Sequence, residues 1–282
     1  MGNDDVKDEG ERWRKRLRRW LGGRREAPRA SDAPPGSPEL RFDRPVSLEE
    51  LLEATPEVRP GRLDGGGWAL RWSRADAENA GRELASAVRR THSREGLHDD
   101  LAPLAEAVPE DLTLFDLETL GLGNAGIFLI GCLRLEGGRV AVEQFLAADY
   151  SEEPSLVGSF AETLRRTRVL VSFNGKSYDL PLLTGRAGMW HVDLAAERLA
   201  HHLDILYECR RRWSGELPDC RLQTLELRVC GRRRRGDLPG AQIPATYHEF
   251  VETRDARLLA PILRHNVLDL VTMAEILREC LR

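Results

Sequence analysis

A chain of 282 residues with 41% hydrophobic side chains has enough apolar material for one large domain, or a medium one with appendages, to bury a core. Its formal net charge of −4 excludes a whole-molecule basic field, so a polyanionic partner has to be held by local patches or by metal ions. There is no apolar run near the roughly 18 residues of a membrane span, no export signal at the acidic N-terminus, and no C-x-x-C pair or zinc-spaced cluster among Cys132, Cys209, Cys220, Cys230 and Cys280, so the expected setting is the cytoplasm with reduced thiols.

Residues 1–45 read as a disordered tail, because "REAPRASDAPPGSPELRFDRP" is dense in Pro, Ala, Ser and Gly and can bury little surface against its ordering entropy. Within it, "ERWRKRLRRWLGGRR" sets Trp13, Leu17, Trp20 and Leu21 on one helical stripe among arginines. That pattern predicts a short basic amphipathic helix stopped at Gly22 and Gly23, either a solvated charged tail or a contact for an anionic membrane surface, a nucleic acid or a partner groove. Residues 46–104 read as a helical accessory segment, with "SLEELLEA" carrying Ser47 and Glu50 in capping-box positions and "RADAENAGRELASAVRRTH" forming a longer helix. Lysine occurs only at Lys7, Lys15 and Lys176, an arginine bias typical of a GC-rich bacterial genome; it makes Lys176 stand out locally.

From residue 111 the pattern changes to strands. "LTLFDLETLGL", "IFLIGCLRLEGG" and "RVAVEQFLAAD" predict three, the last two joined as a hairpin across Gly137 and Gly138. A helix over "SLVGSFAETLRRT", a strand "VLVSFN", a helix starting near Asp179, a strand "HHLDIL" with Asp204 as cap of the next helix, and further helices to Arg282 follow. An antiparallel meander followed by alternating α and β units predicts an α/β fold with one mixed sheet and helices on its faces.

Asp116 and Glu118, two apart on the first of these strands, point to the same face. Two like charges side by side fit either a solvated strand end or a cation between them, and oxygen ligands suit a hard ion such as Mg²⁺ or Mn²⁺. Asp179, in "LVSFNGKSYDLPLL", is either a first-turn helix acid or a third ligand. His265 and Asp269, four apart in "RHNVLDLVTMAEIL", share one helical face, as an ordinary hydrogen-bonded pair or as a further corner of the same site.

In order, these motifs resemble those of the DEDD superfamily of ribonuclease-H-like 3′→5′ exonucleases. More closely, "FDLETLGL", "VLVSFNGKSYDLPLL", "HLDILYECRRRW", "RLQTLELRVCGRRRRGDLPGAQIPATYHEFV" and "RHNVLDLVTMAEIL" resemble the bacterial YprB-like ribonuclease-H-like domain, over about residues 105–282. The resemblance implies a five-stranded mixed sheet with helices on both faces, with Asp116, Glu118, Asp179 and Asp269 as ligands of two Mg²⁺ or Mn²⁺ ions. It implies release of nucleoside 5′-monophosphates from the 3′ end of DNA or RNA, the two-metal chemistry for which converging acids are needed. His265 would hold or deprotonate the attacking water. It departs from the family pattern, standing four residues before the last Asp, the spacing of the superfamily's tyrosine branch, where the histidine branch has five.

Asn174 and Lys176 are candidate substrate contacts, with Gly175 permitting close backbone passage; a tight turn stabilised by Asn explains the same residues. "GRRRRGD", residues 231–237, is the densest basic run, able to follow a phosphate backbone or to lie in solvent. Two other readings stay open: a catalytically inactive nucleic-acid-binding or scaffold protein of the same fold, and an aspartyl phosphatase with Asp116 as nucleophile. Because nothing in residues 1–45 supplies a motif acid, deleting them should leave cleavage of a labelled oligonucleotide unchanged; lost cleavage would make the tail part of the catalytic unit.

Overall fold

The strand "LTLFDLET" lies at the centre of the molecule, with antiparallel neighbours on one side and parallel ones on the other. In the computed structural model the described residues are 42–282, except 93, 95, 122, 124 and 196–198. The tail and its Trp13/Trp20 helix therefore lie outside the described residues up to residue 41. Phe42, just beyond, already packs on the core.

Helix α1 (Leu48–Glu53) opens with the expected capping box: Ser47 accepts from the Glu50 amide, and Glu50 accepts from the Ser47 amide. Strands β1 (Val58–Arg62) and β2 (Trp68–Trp72), helix α2 (Ala75–Thr91), the meander β3 (Leu112–Thr119), β4 (Ile127–Glu136) and β5 (Arg139–Leu146), and helix α3 (Glu153–Leu164) follow. Next come β6 (Val169–Ser172), α4 (Asp179–Met189), β7 (His201–Asp204), α5 (Ile205–Trp213), α6 (Leu222–Arg228), α7 (Ile243–Thr253) and the long α8 (Leu259–Cys280). The β4–β5 hairpin turns at Gly137 (φ 55°) and Gly138 (φ 79°), a pair of left-handed residues that glycine adopts without strain.

The sheet has seven strands rather than five, in the order β1-β2-β5-β4-β3-β6-β7, of which β3, β6 and β7 are parallel. The expected five form its centre and one edge. The extra two come from the segment expected to be wholly helical: Trp68–Trp72 pairs with β5, and Val58–Arg62 closes the edge. Pro60 and Gly61 disguise β1 as a loop, and Pro is tolerated there because β1 is an edge strand. All the described residues belong to one compact unit.

Alternation along β3 divides the core. Leu112 and Leu114 face the cluster built by α2, α5, α6 and most of α8, whereas Phe115 and Leu117 face α3, α4 and α7. Asp116 and Glu118 continue the parity of Leu112 and Leu114, which brings them to the α8 side at the strand's carboxyl end. Among the described residues no helix is long and apolar enough to cross a membrane. All five cysteines are free.

Helix α2 approaches the hairpin closely at Gly81, where a Cβ would lie 2.5 Å from Val140 Cγ2 and 3.0 Å from its Cγ1. Gly81→Ala gains up to about 1 kcal/mol of helix propensity, but overpacking a stiff β-branched neighbour costs about 1–3 kcal/mol. Net destabilisation is expected in urea unfolding, and a stabilised variant would show that α2 can lift off the sheet at no cost.

Candidate active site

Parallel strands β3, β6 and β7 end on the same side of the sheet, where open α/β folds place their ligands. The ladder between β3 and β4 becomes irregular at Glu118/Thr119, so the two acids sit where regular pairing stops.

Asp179 is the first helical residue of α4 and does not serve as its N-cap. The backbone amides of Asp179 itself and of Leu117 on β3, the residue between Asp116 and Glu118, favour the charged form of its carboxyl. A loop sets the position of Asp179. Asp204, at the end of β7, accepts from the backbone amides of Asn174 (2.7 Å), Lys176 (3.0 Å) and Leu206 (3.1 Å), which combines the expected helix cap with a clamp on the neighbouring loop. Asn174 takes a left-handed conformation at φ 65°. At Gly175 an added Cβ would stand 2.5 Å from the Ser172 side chain and 3.1 Å from Asp179 Oδ2, so the absent side chain keeps the acid in place. Ser172 is itself held by His202, with 2.8 Å between Oγ and Nε2.

Helix α8 brings the other corner. His265 Nε2 lies 3.4 Å from Asp269 Oδ2, the shared face expected of an i, i+4 pair, and its Nδ1 lies 3.0 Å from Asp237 Oδ1. Burial alone would lower the pKa of His265, yet the hydrogen bonds to Asp237 and Asp269 hold it at about 11. In this arrangement the His265 ring bridges two carboxylates, which favours its protonated form; acting on a water as a base would require it to release Asp269 and to give up a proton.

The arginine run differs from a surface patch. Its side chains alternate, Arg233 and Arg235 outward, Arg232 and Arg234 inward. Arg234, only 5% exposed, contacts Asp269 (2.5 Å), Glu226 (2.5 Å) and Asp237 (3.2 Å), while Arg232 pairs with Glu226 and Glu275 at 3.0 Å each. An acidic interior recruits alternate arginines of an extended segment because an unpaired buried charge is costlier than the ordering of a long side chain.

The acids of the sequence motifs lie within reach of one another's charge. Asp116 is pushed well above the usual carboxylate range by burial and then by the charges of Asp269, Glu118 and Asp179. Burial lifts Glu118 to about 8, with His265 opposing and Asp269, Asp179 and Asp237 adding to the rise. Burial also lifts Asp179 to about 6 against the two amides that hold it down. Such mutual repulsion in a poorly solvated place is what a bound cation relieves, and the donor set is all hard oxygen. Among the described residues, however, no three His, Cys, Asp or Glu side chains are already gathered closely enough to hold an ion. Asp269 is turned to Arg234, and Asp179 Oδ2 lies against Gly175.

Of the candidate substrate contacts, Asn174 is half-buried and Lys176 exposed, with Nζ 5.7 Å from the ring centre of Tyr207. Sequence reasoning did not single out Asp237, Arg234, Glu226 or Asn266. Asn266, flanked by His265 and Val267 on α8, donates through Nδ2 to Asp116 Oδ2 at 2.8 Å. The one available signal was a fully polar residue inside an otherwise apolar helical stripe.

A sequence model of the RNase_H superfamily matches residues 113–281. The chain is 34% identical over 166 residues to "Uncharacterized protein YprB" of Bacillus subtilis (strain 168); the match spans 58% of this chain and 40% of that relative's length. Among solved structures, the family B DNA polymerase of the archaeon Pyrobaculum calidifontis aligns at 16% identity and TM-score 0.48, over 58% of this chain and 23% of that one. Escherichia coli Exonuclease I in complex with a dA16 oligonucleotide aligns at 17% identity and TM-score 0.33, over 55% and 43%.

Arg234→Ala removes the cation from Asp269, Glu226 and Asp237, and breaking so buried a network should cost about 3–5 kcal/mol in urea unfolding. If the acids bind divalent cations, Mg²⁺ should raise the stability of the variant more than that of the wild type. Equal response to Mg²⁺ would count against an ion at Asp269.

Proposed function

Because the chain belongs to the RNase_H superfamily, we propose that it is a divalent-metal-dependent nuclease of the DEDD type, a 3′→5′ exonuclease releasing nucleoside 5′-monophosphates. The observation that supports this reading is that α8, which carries the His265/Asp269 pair, reaches Asp116 through the Asn266 carboxamide at 2.8 Å, while Asp179 opens α4 after β6, the parallel neighbour of β3. On this reading, acids from a strand, a helix start and a distant helix would converge on one end of β3.

Asp116, Glu118, Asp179 and Asp269 would hold the ions. When bound, Mg²⁺ or Mn²⁺ supplies Lewis-acid polarisation of the phosphodiester and eases deprotonation of the attacking water. The chain's own contribution is placement. Asp204 and Gly175 hold the loop that presents Asp179; Asp237 orients the His265 ring through Nδ1, and Nε2 would have to give up its own proton before it could accept one from water. Lys176, exposed beside the site, offers an ammonium to a substrate phosphate.

A second reading, a nucleic-acid-binding protein of the same fold without catalysis, is favoured by one observation: the guanidinium of Arg234 already neutralises Asp269. A 3′-labelled oligonucleotide, single- or double-stranded and of DNA or RNA, separates the two. Mononucleotide release that requires Mg²⁺ or Mn²⁺ is expected, with at least ~100-fold loss in Asp116→Ala and in Asp179→Ala. Equal activity in all three proteins would mark a contaminant, and binding without release would support the second reading.

A further inference from the structure

Four cross-strand neighbours form a row over the sheet: Leu70 on β2, Gln144 on β5, Gly131 on β4 and Asp116 on β3. Cross-strand partners project to one face, yet one place in this row has no side chain. A Cβ on Gly131 would lie 1.9 Å from Asn266 Oδ1. Helix α8 lowers the Asn266 carboxamide into that gap, between Gln144 on one side and Asp116 on the other.

The contacts form a continuous chain. Trp72 Nε1 donates to Gln144 Oε1 (2.8 Å), Gln144 Nε2 donates to Asn266 Oδ1 (2.8 Å), and Asn266 Nδ2 donates to Asp116 Oδ2 (2.8 Å). Each carboxamide has a second anchor, since Gln144 Nε2 also reaches the Leu263 carbonyl (2.9 Å) and Asn266 Nδ2 the Asp116 carbonyl (3.3 Å). Gln144 and Asn266 are fully buried.

Chemistry gives this chain a direction. An indole N–H can only donate, so Gln144 must present its oxygen to Trp72 and its amide nitrogen to α8. Asn266 must then accept with its oxygen, which turns its own N–H towards the carboxylate. Reversing either amide would set two donors or two acceptors face to face in a buried place, at the full cost of unmet hydrogen bonds. The donor facing Asp116 is thereby determined by a tryptophan three strands away.

We propose that Trp72, Gln144 and Asn266 are positioning residues for Asp116, forming a one-way hydrogen-bond relay that ties the β1–β2 hairpin to the candidate metal site. This rests on reading Asp116 as a cation ligand. Gln144 and Asn266 lie within the family-matched segment, residues 113–281, and Trp72 lies outside it. The hairpin is thus a support for the site as well as an extension of the sheet. Outer partners of ligating carboxylates hold the oxygen lone pairs in the direction of the ion, and losing one typically weakens metal affinity or activity about 10–100-fold.

Trp72→Phe keeps the apolar ring and removes the donor; Gln144→Met interrupts the middle at similar volume; Trp68→Phe, on the same hairpin but outside the relay, is the control. The first readout needs neither metal nor catalysis: the side-chain carboxamide ¹⁵N–¹H resonances of Asn266, assigned by its substitution. Trp72→Phe should shift them although the two side chains do not touch, and Trp68→Phe should not. The second is Mn²⁺ affinity by calorimetry, expected to fall about 10-fold in Trp72→Phe and up to about 100-fold in Asn266→Leu. The double variant should bind no more weakly than Asn266→Leu alone, because one chain can be broken only once.

Unmoved Asn266 resonances in both Trp72→Phe and Gln144→Met would overturn the relay. Moved resonances with unchanged Mn²⁺ affinity, or losses that simply add in the double variant, would overturn its positioning role. A wild-type protein that neither binds Mn²⁺ nor cleaves would overturn the nuclease reading and this positioning role with it, while the carboxamide shifts would still judge whether the hydrogen-bonded chain exists.

Discussion

The arrangement depends on keeping several carboxylates together where water can solvate them poorly. Burial pushes Asp116, Glu118 and Asp179 above their usual range; the charges of neighbouring motif acids add to the rise at Asp116 and Glu118, and that of Asp204 adds to it at Asp179. A fold with no use for such a cluster would be expected to disperse it. Here the surroundings answer it with positive charge: His265 as an imidazolium between Asp237 and Asp269, and Arg234 driven inward onto Asp269, Asp237 and Glu226. In the proposed reading the site would have two states, one neutralised by the protein's own cations and one by divalent ions. Exchange between them requires Asp269 to turn from one partner to the other.

Backbone devices set the positions of these acids. Asp204 gathers three amides from two segments and fastens the loop after β6; Gly175 leaves the space that Ser172 and Asp179 occupy; Asp179 opens α4 beyond the point where parallel pairing between β3 and β6 has ended. None of these contacts is strong by itself. Together they fix a helix start against a strand end, the kind of support that a preorganised site requires. The β1–β2 hairpin is coupled to the same place through Gln144 and Asn266, so the edge of the sheet and its centre are not independent.

Elements whose pattern is local were legible in the residues: the capping box at Ser47 and Glu50, the two-glycine hairpin, the shared face of Asp116 and Glu118, the helical pairing of His265 with Asp269, and Asp204 as a cap. Periods of 2 and 3.6 residues and the demands of a turn are properties of a few neighbouring side chains, so a sequence can declare them alone. β1 was hidden by Pro60 and Gly61, residues that fit a strand only once it is known to be an edge.

Other features came into being only with the tertiary structure. The inward turn of Arg232 and Arg234, the partnership of Asp237 with His265, and the role of Asn266 beside an acid 150 positions away depend on which groups the folded chain brings opposite them. A polar side chain announces what it can bond to; the cost of burying it unpaired makes it choose, and that choice exists only after water has been removed and the partner is in reach. The acids that could make a site, and the strands and helices that carry them, were determined by the sequence itself. How their charges are balanced, and what holds each one still, was decided by packing.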